Sequence, residues 1–553
     1  MADRILIILL SLAVSAGAEG AGVGLRVFFD NLDQMKAVNA HMNPLNEPTG
    51  LFGCYEATAA NLLFLSQMNL RYETYKSRHP SAPTIAELDS FYYTYTAMVD
   101  SLISWAAQYP EIARVETIGV SQQELRNIYA LKISDSVSSD QDEPVLLFDG
   151  THHACEIMGM EICLALADTL LHNYDTQQAI TDIINSTEIW IVPLINPDGN
   201  SAVHAGISLN YRKNGRDLDG DGILYEYGCN NSWTCPTEGI DLNRNYDWYW
   251  SSGGSPVPMN YYYRGSSPGS ESENQAITSL VGEIRPVLSL TYHSWGEVVY
   301  MPWQWSNYLQ APDSAVIESI GVALAANIMK ENGYEHYDPV LSDGFSGQAI
   351  NWQYARHGVL CFSPETVQAQ DFIPETEERR NSIIHENLRG VFFLLSRANG
   401  NQITGRVTDR STEAPLEAEI RVLQAYSSLV DARFSEPLYG RYRRLVNPGT
   451  YTIEAHCQGY PVHTYPGIAV TGSLPTILNI QMSQIVTGDA NSSGTLNGTD
   501  VIYLVNALRG IAPLPSPVQK GDANGDCQIS GLDVIYLVNY FKGGAFPLTC
   551  DAQ

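Results

Sequence analysis

Positive charge is scarce in this chain. Its 553 residues carry 31 Lys and Arg against 61 Asp and Glu, a formal net charge of −30 at pH 7. That balance argues against nucleic acid as a partner, because a surface of like charge repels a polyanion. Long apolar runs are also lacking beyond the first residues, so no membrane span is expected. The one early run, Ile5 to Val14, follows Arg4 and precedes Ala16-Gly-Ala18. A charged start, a short apolar stretch and small residues predict a secretory signal over residues 1–18. The expected location is therefore extracellular, free or held at a surface or scaffold. In that compartment the nine cysteines are free to form disulfides. Cys229–Cys235 and Cys527–Cys550 are the predicted pairs, and Cys163 and Cys361 are expected as buried thiols.

What is present is a split set of metal donors. His153-Ala-Cys-Glu156 is followed far downstream by His293, at the end of the apolar run Val287-Leu-Ser-Leu-Thr-Tyr-His293. Two imidazoles and one carboxylate leave the fourth position of a tetrahedral zinc open, which is the pattern of a catalytic site. A histidine three residues before a glutamate is common by chance, so the order of the other motifs carries the argument. Arg212 stands in Tyr-Arg-Lys-Asn, and Gly239-Ile-Asp241-Leu-Asn243-Arg244-Asn245-Tyr246 follows. Next come Tyr292-His293-Ser294, and then Trp352 with Glu365 thirteen residues later. Asn196-Pro-Asp-Gly199 and Arg264-Gly-Ser-Ser-Pro-Gly-Ser-Glu271 fall between them.

In this order the motifs resemble the zinc carboxypeptidases, the family of pancreatic carboxypeptidases A and B and bacterial carboxypeptidase T. The resemblance covers roughly residues 86 to 397. It implies hydrolysis of the C-terminal residue of a peptide or protein with a free C-terminus. It makes His153, Glu156 and His293 the zinc ligands and Glu365 the base that moves the proton. Arg212 becomes the stabiliser of the oxyanion. Asn243 and Arg244 match the pair that binds the terminal carboxylate, which a guanidinium fork fits bidentately. Asp241 matches the carboxylate that orients the first zinc histidine. Ser294 is expected to line the pocket, and Ile350, where basic-specific relatives carry aspartate, predicts an apolar floor. Two departures stand out. Cys155 replaces an arginine common before the zinc glutamate. The family's mobile tyrosine falls on Asp343, with Tyr337 as the nearest candidate substitute.

The rest of the chain reads as separate modules. Residues 19–80 predict a small α+β unit with strands at Leu25–Phe29 and Leu70–Tyr75 and helices at Leu32–Ala40 and 57–68. By the resemblance this unit is a propeptide. Residues 86–397 alternate apolar strands (Ile128–Ile133, Val145–Phe148, Ile189–Ile195, Val287–Tyr292, Val359–Phe362) with helical patterns (Met158–His172, Ser314–Asn332). This predicts an α/β domain whose mixed sheet is covered by helices on both faces, with sites just beyond strand ends. Residues 402–483 turn to alternating strands and resemble the transthyretin-like β-sandwich modules appended to many carboxypeptidases.

Residues 488–553 are a duplication. Gly488-Asp-Ala-Asn491 … Asp500-Val-Ile-Tyr-Leu-Val-Asn506 recurs 33 residues later as Gly521-Asp-Ala-Asn524 … Asp533-Val-Ile-Tyr-Leu-Val-Asn539. Asp489, Asn491, Ser493 and Asp500 fall at positions 1, 3, 5 and 12 of a calcium loop, with Gly494 at the turn. Asp522, Asn524, Asp526 and Asp533 repeat the pattern, with Cys527 in the glycine's place. This helical calcium-loop module is similar to a dockerin, which implies Ca²⁺ and a cohesin-like scaffold partner. Asp217, Asp219 and Asp221 form a further calcium-loop pattern. Its twelfth position is Gly228, and Glu226 is the nearest acid. Two other readings compete. One is a cell-wall peptide hydrolase or deacylase on the same zinc site. The other is a scaffold-anchored binding protein with an inactive peptidase domain, against which the full ligand set and Glu365 argue.

Overall fold

In the computed structural model of the chain, the described residues are 23–28, 34, 37–38, 41, 52–56, 59–68, 70–76, 90–226, 237–305, 309–342, 347–368 and 372–550. The predicted signal, most of the predicted helix at 32–40, the Cys229–Cys235 pair and Asp343 lie outside them.

The N-terminal strands form one antiparallel sheet. β1 (Val23–Phe28) lies between β2 (Phe52–Glu56) and β3 (Tyr72–Lys76), with α1 (Ala59–Gln67) preceding β3.

The central domain begins with α2 (Tyr95–Gln108), β4 (Ala113–Val120), β5 (Asn127–Ile133) and β6 (Val145–Gly150). Then come α3 (Met158–Asn173), α4 (Gln178–Ile184), β7 (Glu188–Val192), α5 (Pro197–His204) and α6 (Ser272–Ile284). It closes with β8 (Leu288–Ser294), β9 (Val298–Met301), α7 (Ser314–Ala325), β10 (Asp338–Leu341), β11 (Leu360–Thr366) and α8 (Glu377–Ala398). The eight strands make one mixed sheet in the order β10-β9-β11-β8-β6-β7-β5-β4. β11, β8, β6 and β7 run parallel, whereas β5 and β9 run antiparallel to their neighbours in that block. Leu146, Leu147 and Phe148 are consecutive and all fully buried. A strand that hides neighbouring side chains must be covered on both faces, which is why its sequence is continuously apolar rather than alternating. α3 packs on β6 and β8 and against α8, which also reaches β6.

α7 stops at Ala325, short of the expected Asn332. The chain turns at Gly333, whose φ is +76°, and Lys330 N–H donates to Glu335 O at 2.7 Å. The apolar periodicity past Ala325 belongs to Ile328, which is buried beside this turn rather than in the helix.

Residues 402–482 form two small sheets. One joins β12 (Gln402–Asp409), β14 (Arg441–Leu445), β17 (Thr476–Ile477) and β18 (Ile480–Met482); the other joins β13 (Glu419–Val422), β15 (Gly449–His456) and β16 (His463–Val470). Ile403, Val407, Ile420, Val422, Ile453 and Ile480 fill a core of their own. Arg433 and Arg444 reach across to Asp313 of the central domain at 2.7 and 3.4 Å.

At the C-terminus, α9 (Gly498–Leu508) and α10 (Gly531–Phe541) pack together over Ala490, Leu504, Ala523 and Leu537. A disulfide joins Cys527 to Cys550. Cys155, Cys163 and Cys361 are buried free thiols.

Candidate metal centre and active-site cleft

β6, β8 and β11 are adjacent and parallel, so their C-terminal ends form one rim of the sheet. His153 and Glu156 lie on the loop that follows β6. His293 is the penultimate residue of β8, directly opposite Glu365 of β11. The expectation that these side chains lie beyond their strands thus holds for His153, while His293 and Glu365 belong to the strands themselves.

The three donors converge. His153 Nδ1 lies 2.8 Å from Glu156 Oε1, His293 Nδ1 lies 2.8 Å from Glu156 Oε2, and the two Nδ1 atoms are 3.0 Å apart. The opposite ring nitrogens are occupied elsewhere. His153 Nε2 is 3.1 Å from Asp241 Oδ1, and His293 Nε2 is 3.1 Å from Asn243 Nδ2. Both imidazoles therefore present Nδ1 to the same point, with a carboxylate beside them and all three residues at most 2 % exposed. Two nitrogens and one carboxylate closing on one buried point is a donor set that suits zinc.

A ring of charge surrounds the donors. Arg212 Nε donates to Asp241 Oδ2 at 2.9 Å and its Nη1 to Glu156 Oε1 at 3.3 Å. Burial opposes ionisation of Asp241, but Arg212, His153 and Arg244 hold its carboxyl well below the usual range. Burial and Arg212 both disfavour the protonated form of His153, yet Glu156 and Asp241 together lift its pKa. Glu156 stays ionised against burial because both histidines stabilise the carboxylate.

The remaining expected residues among those described are brought to the same place with one exception. Asn243 Oδ1 accepts the Ala349 N–H at 2.9 Å, which seats Ile350 beside the Asn243–Arg244 pair. Arg244 Nη1 donates to Asn243 O at 2.8 Å, and both Arg212 and Arg244 approach the ring of Tyr262, at 4.8 and 5.1 Å. Ser294 N–H donates to Glu156 Oε2 at 3.1 Å, and its hydroxyl bonds Thr366 Oγ1 at 2.9 Å. Tyr337 is the exception. It is buried with its hydroxyl accepting from Asn387 Nδ2 at 3.3 Å, so it is held in the core.

Motif order alone gives no role to His152, Tyr246 or Tyr262. His152 stacks on His293 with centroids 5.4 Å apart, and its Nε2 is 2.8 Å from Tyr246 Oη. Burial, then the neighbouring histidines, keep it neutral. The signals that point to these residues are the doublet His152-His153 and the run Tyr261-Tyr262-Tyr263.

In the C-terminal repeat the loop donors fold back on their own chain. Gly494 N–H donates to Asp489 Oδ2 at 2.8 Å, and Cys527 N–H donates to Asp522 Oδ2 at the same distance. Cys527 adopts φ +61° where the first copy has Gly494 at +82°. Asp500 and Asp533 accept the N–H of Asn497 and Ser530 and so close the helix N-termini. Ser493 N–H donates to Asn491 Oδ1 at 2.9 Å, and Asp526 N–H to Asn524 Oδ1 at 3.0 Å.

Comparison with known proteins agrees with this geometry. The family model for zinc carboxypeptidase matches residues 98–388, and that for the dockerin type I domain matches residues 487–542. Carboxypeptidase D of Mus musculus is 27 % identical over 432 residues, covering 71 % of this chain and 27 % of its own length. The chain thus spans about a quarter of that relative. A zinc carboxypeptidase of Saccharothrix mutabilis subsp. capreolus is 25 % identical over 310 residues, covering 52 % of this chain and 67 % of its own. The crystal structure of carboxypeptidase A from Helicoverpa armigera superposes with a TM-score of 0.55 at 22 % identity, over 68 % of this chain and 97 % of that one, a likeness of fold.

Proposed function

Since the chain belongs to the zinc carboxypeptidase family, we propose that it is a secreted zinc metallocarboxypeptidase that removes C-terminal residues from peptides, tethered through its dockerin module. The observation that carries this reading is the convergence of His153, Glu156 and His293 directly across from Glu365. Zinc held by those three side chains supplies Lewis acidity toward a water and a carbonyl oxygen. Glu365, buried on the neighbouring strand, accepts the proton of the attacking water and returns it to the leaving amine. Arg212 offers its guanidinium to the oxygen on which negative charge develops. Asn243 and Arg244 grip the terminal carboxylate, which limits cleavage to the end of a chain. Asp241 fixes the tautomer and orientation of His153. Ile350, next to Asn243, itself offers no charge to a buried cation and favours apolar or aromatic C-terminal residues.

The calcium loops of the terminal repeat fold the module that would meet a cohesin-like scaffold protein. We read residues 402–483 as a transthyretin-like module and 19–80 as a propeptide over the cleft. Trimming between Lys76 and Pro83 should then raise activity, and an intact chain already fully active would make 19–80 a permanent accessory unit. Zinc analysis combined with turnover of one chromogenic peptide bearing a free C-terminus tests the main reading. Zinc without any turnover would leave a binding protein.

A further inference from the structure

The chain between β13 and β14 carries Asp431 and Arg433. Its backbone is anchored in the small sheets, since Ile420 N–H donates to Arg433 O and Ser435 N–H to Ala418 O, both at 2.8 Å. Its side chains reach the central domain. They meet one helical stretch, residues 349–357, whose first turn carries Ile350 and whose last five residues widen into a π-helical turn. Such a turn is rare and is often found at functional sites.

Tyr354, fully buried in that turn, is the hub of the contact. Its hydroxyl donates to Asp313 Oδ2 at 2.9 Å and accepts the Asp313 N–H at 3.0 Å. Arg433 Nη1 donates to the same carboxylate oxygen at 2.7 Å, and its guanidinium lies 5.0 Å from the centre of the Tyr354 ring. Burial opposes ionisation of Asp313, but Arg433 and Arg444 hold its carboxyl below the usual range. Gly358 admits the arginine: its φ is +71°, and a Cβ there would stand 2.4 Å from Arg433 Nε. A second tie runs beside the first. Asp431 N–H donates to Ala355 O at 2.9 Å. Arg356 forks between the two units, with Nη1 3.2 Å from Asp431 Oδ2 and Nη2 3.2 Å from Asp247 Oδ2. Asp247 stands three residues after Arg244. The exposed pairs of Arg356 are individually weak, whereas the buried Asp313–Arg433 pair is far less screened.

We propose that Arg433 and Asp431 are positioning residues for substrate binding, holding the Ile350 turn against the Asn243–Arg244 segment from outside the central domain. This rests on the reading of Ile350, Asn243 and Arg244 as the residues that grip the substrate's C-terminal end. The turn and the segment are already joined by Ala349 N–H on Asn243 Oδ1. The small sheets clamp both partners: Arg433 holds Tyr354, four residues beyond Ile350, and Asp431 shares Arg356 with Asp247. Residues 402–482 thereby tune substrate affinity without touching the substrate or the metal donors.

The test uses the full-length, zinc-loaded chain. Arg433→Met should raise KM for a peptide ending in Phe about 10-fold, the weight of one hydrogen bond to a charged group, with kcat within about 2-fold and zinc content unchanged. Arg433→Lys keeps a positive charge beside Asp313 and should recover part of the loss. Asp431→Ala, at an exposed position that spares the fold, should act in the same direction and more weakly. A lower Tm with KM unchanged would make the contact merely structural and overturn the proposal. Hydrogen exchange supplies a readout independent of turnover. Amides of 349–358 and 243–248 should exchange faster in both variants, while β6 and β8 keep parental protection. Faster exchange confined to 402–482, or spread evenly over the chain, overturns the proposal. The expected exchange pattern in a chain without turnover would refute the peptidase reading and leave the brace in place.

Discussion

The zinc-type centre and the terminal repeat gather their donors by opposite routes. His153 and His293 are 140 residues apart in sequence and meet only because β6 and β8 are sheet neighbours. Their far ring nitrogens are held by Asp241 and Asn243, so the fold orients the ligands without help from an ion. In the repeat, each donor set lies within twelve consecutive residues and is backed by a core built around Ala490, Leu504, Ala523 and Leu537. A core that small stabilises little by itself. The comparison is one of dependence: the first site is made by the fold, and the second fold is expected to need its sites.

Substitutions at the rim of the sheet should give the largest effects while leaving the fold in place. His293→Ala removes one of three ligands and should abolish both zinc retention and turnover, with a circular dichroism spectrum like the parent's. A spectrum of an unfolded chain would show that this centre, too, depends on its ion. Glu365→Gln should keep zinc and lose about 10²–10⁴-fold in kcat. Near-parental turnover would remove Glu365 from the role of base.

Calcium removal should act in the reverse sense. EGTA should melt α9 and α10, read as lost helical signal in segment 485–553, because clustered carboxylates repel until a cation neutralises them. Zinc content of the full-length chain, freed of calcium by dialysis instead, should not change. Helix retained without calcium, or no binding tighter than the micromolar range, would place the repeat with the fold-built sites. The smallest effect concerns selectivity. Peptides ending in Phe or Leu should show higher kcat/KM than those ending in Lys or Arg, by about 10-fold or more if a cation must be buried without a partner. The opposite order would show that Ile350 does not floor the pocket.

The two regions also differ in how much of each is legible in the sequence. The repeat is legible almost residue by residue, because its donors, its glycine and its helices follow one another locally. The pairing of Cys527 with Cys550 is legible too, whereas the reason Cys527 tolerates its turn is a matter of backbone φ that no spacing reveals. At the zinc-type centre the donors and Asp241 are recognisable from motif order. What stays hidden is what sheet register creates: Glu365 directly opposite His293, and Ser294 turned toward Thr366. Tyr337 fails as a substitute for the family's tyrosine because its burial beside Asn387 is a property of α8, distant in sequence. The end of α7 is masked for a simpler reason: Ile328 continues the apolar period although the chain has already turned.

The disulfide makes the two copies of the repeat unequal. Cys527 and Cys550 enclose 23 residues of separation, and this hoop includes all of α10. By loop-closure entropy alone, a cross-link of that span disfavours the disordered ensemble by about 3 kcal/mol. The first copy has no such hoop among the described residues. Once oxidised, the second copy therefore searches a narrower set of conformations than the first. Two halves that share Gly-Asp-Ala-Asn and Asp-Val-Ile-Tyr-Leu-Val-Asn thus differ in how far their unfolded states are constrained, through one covalent bond from a calcium-loop turn to Cys550.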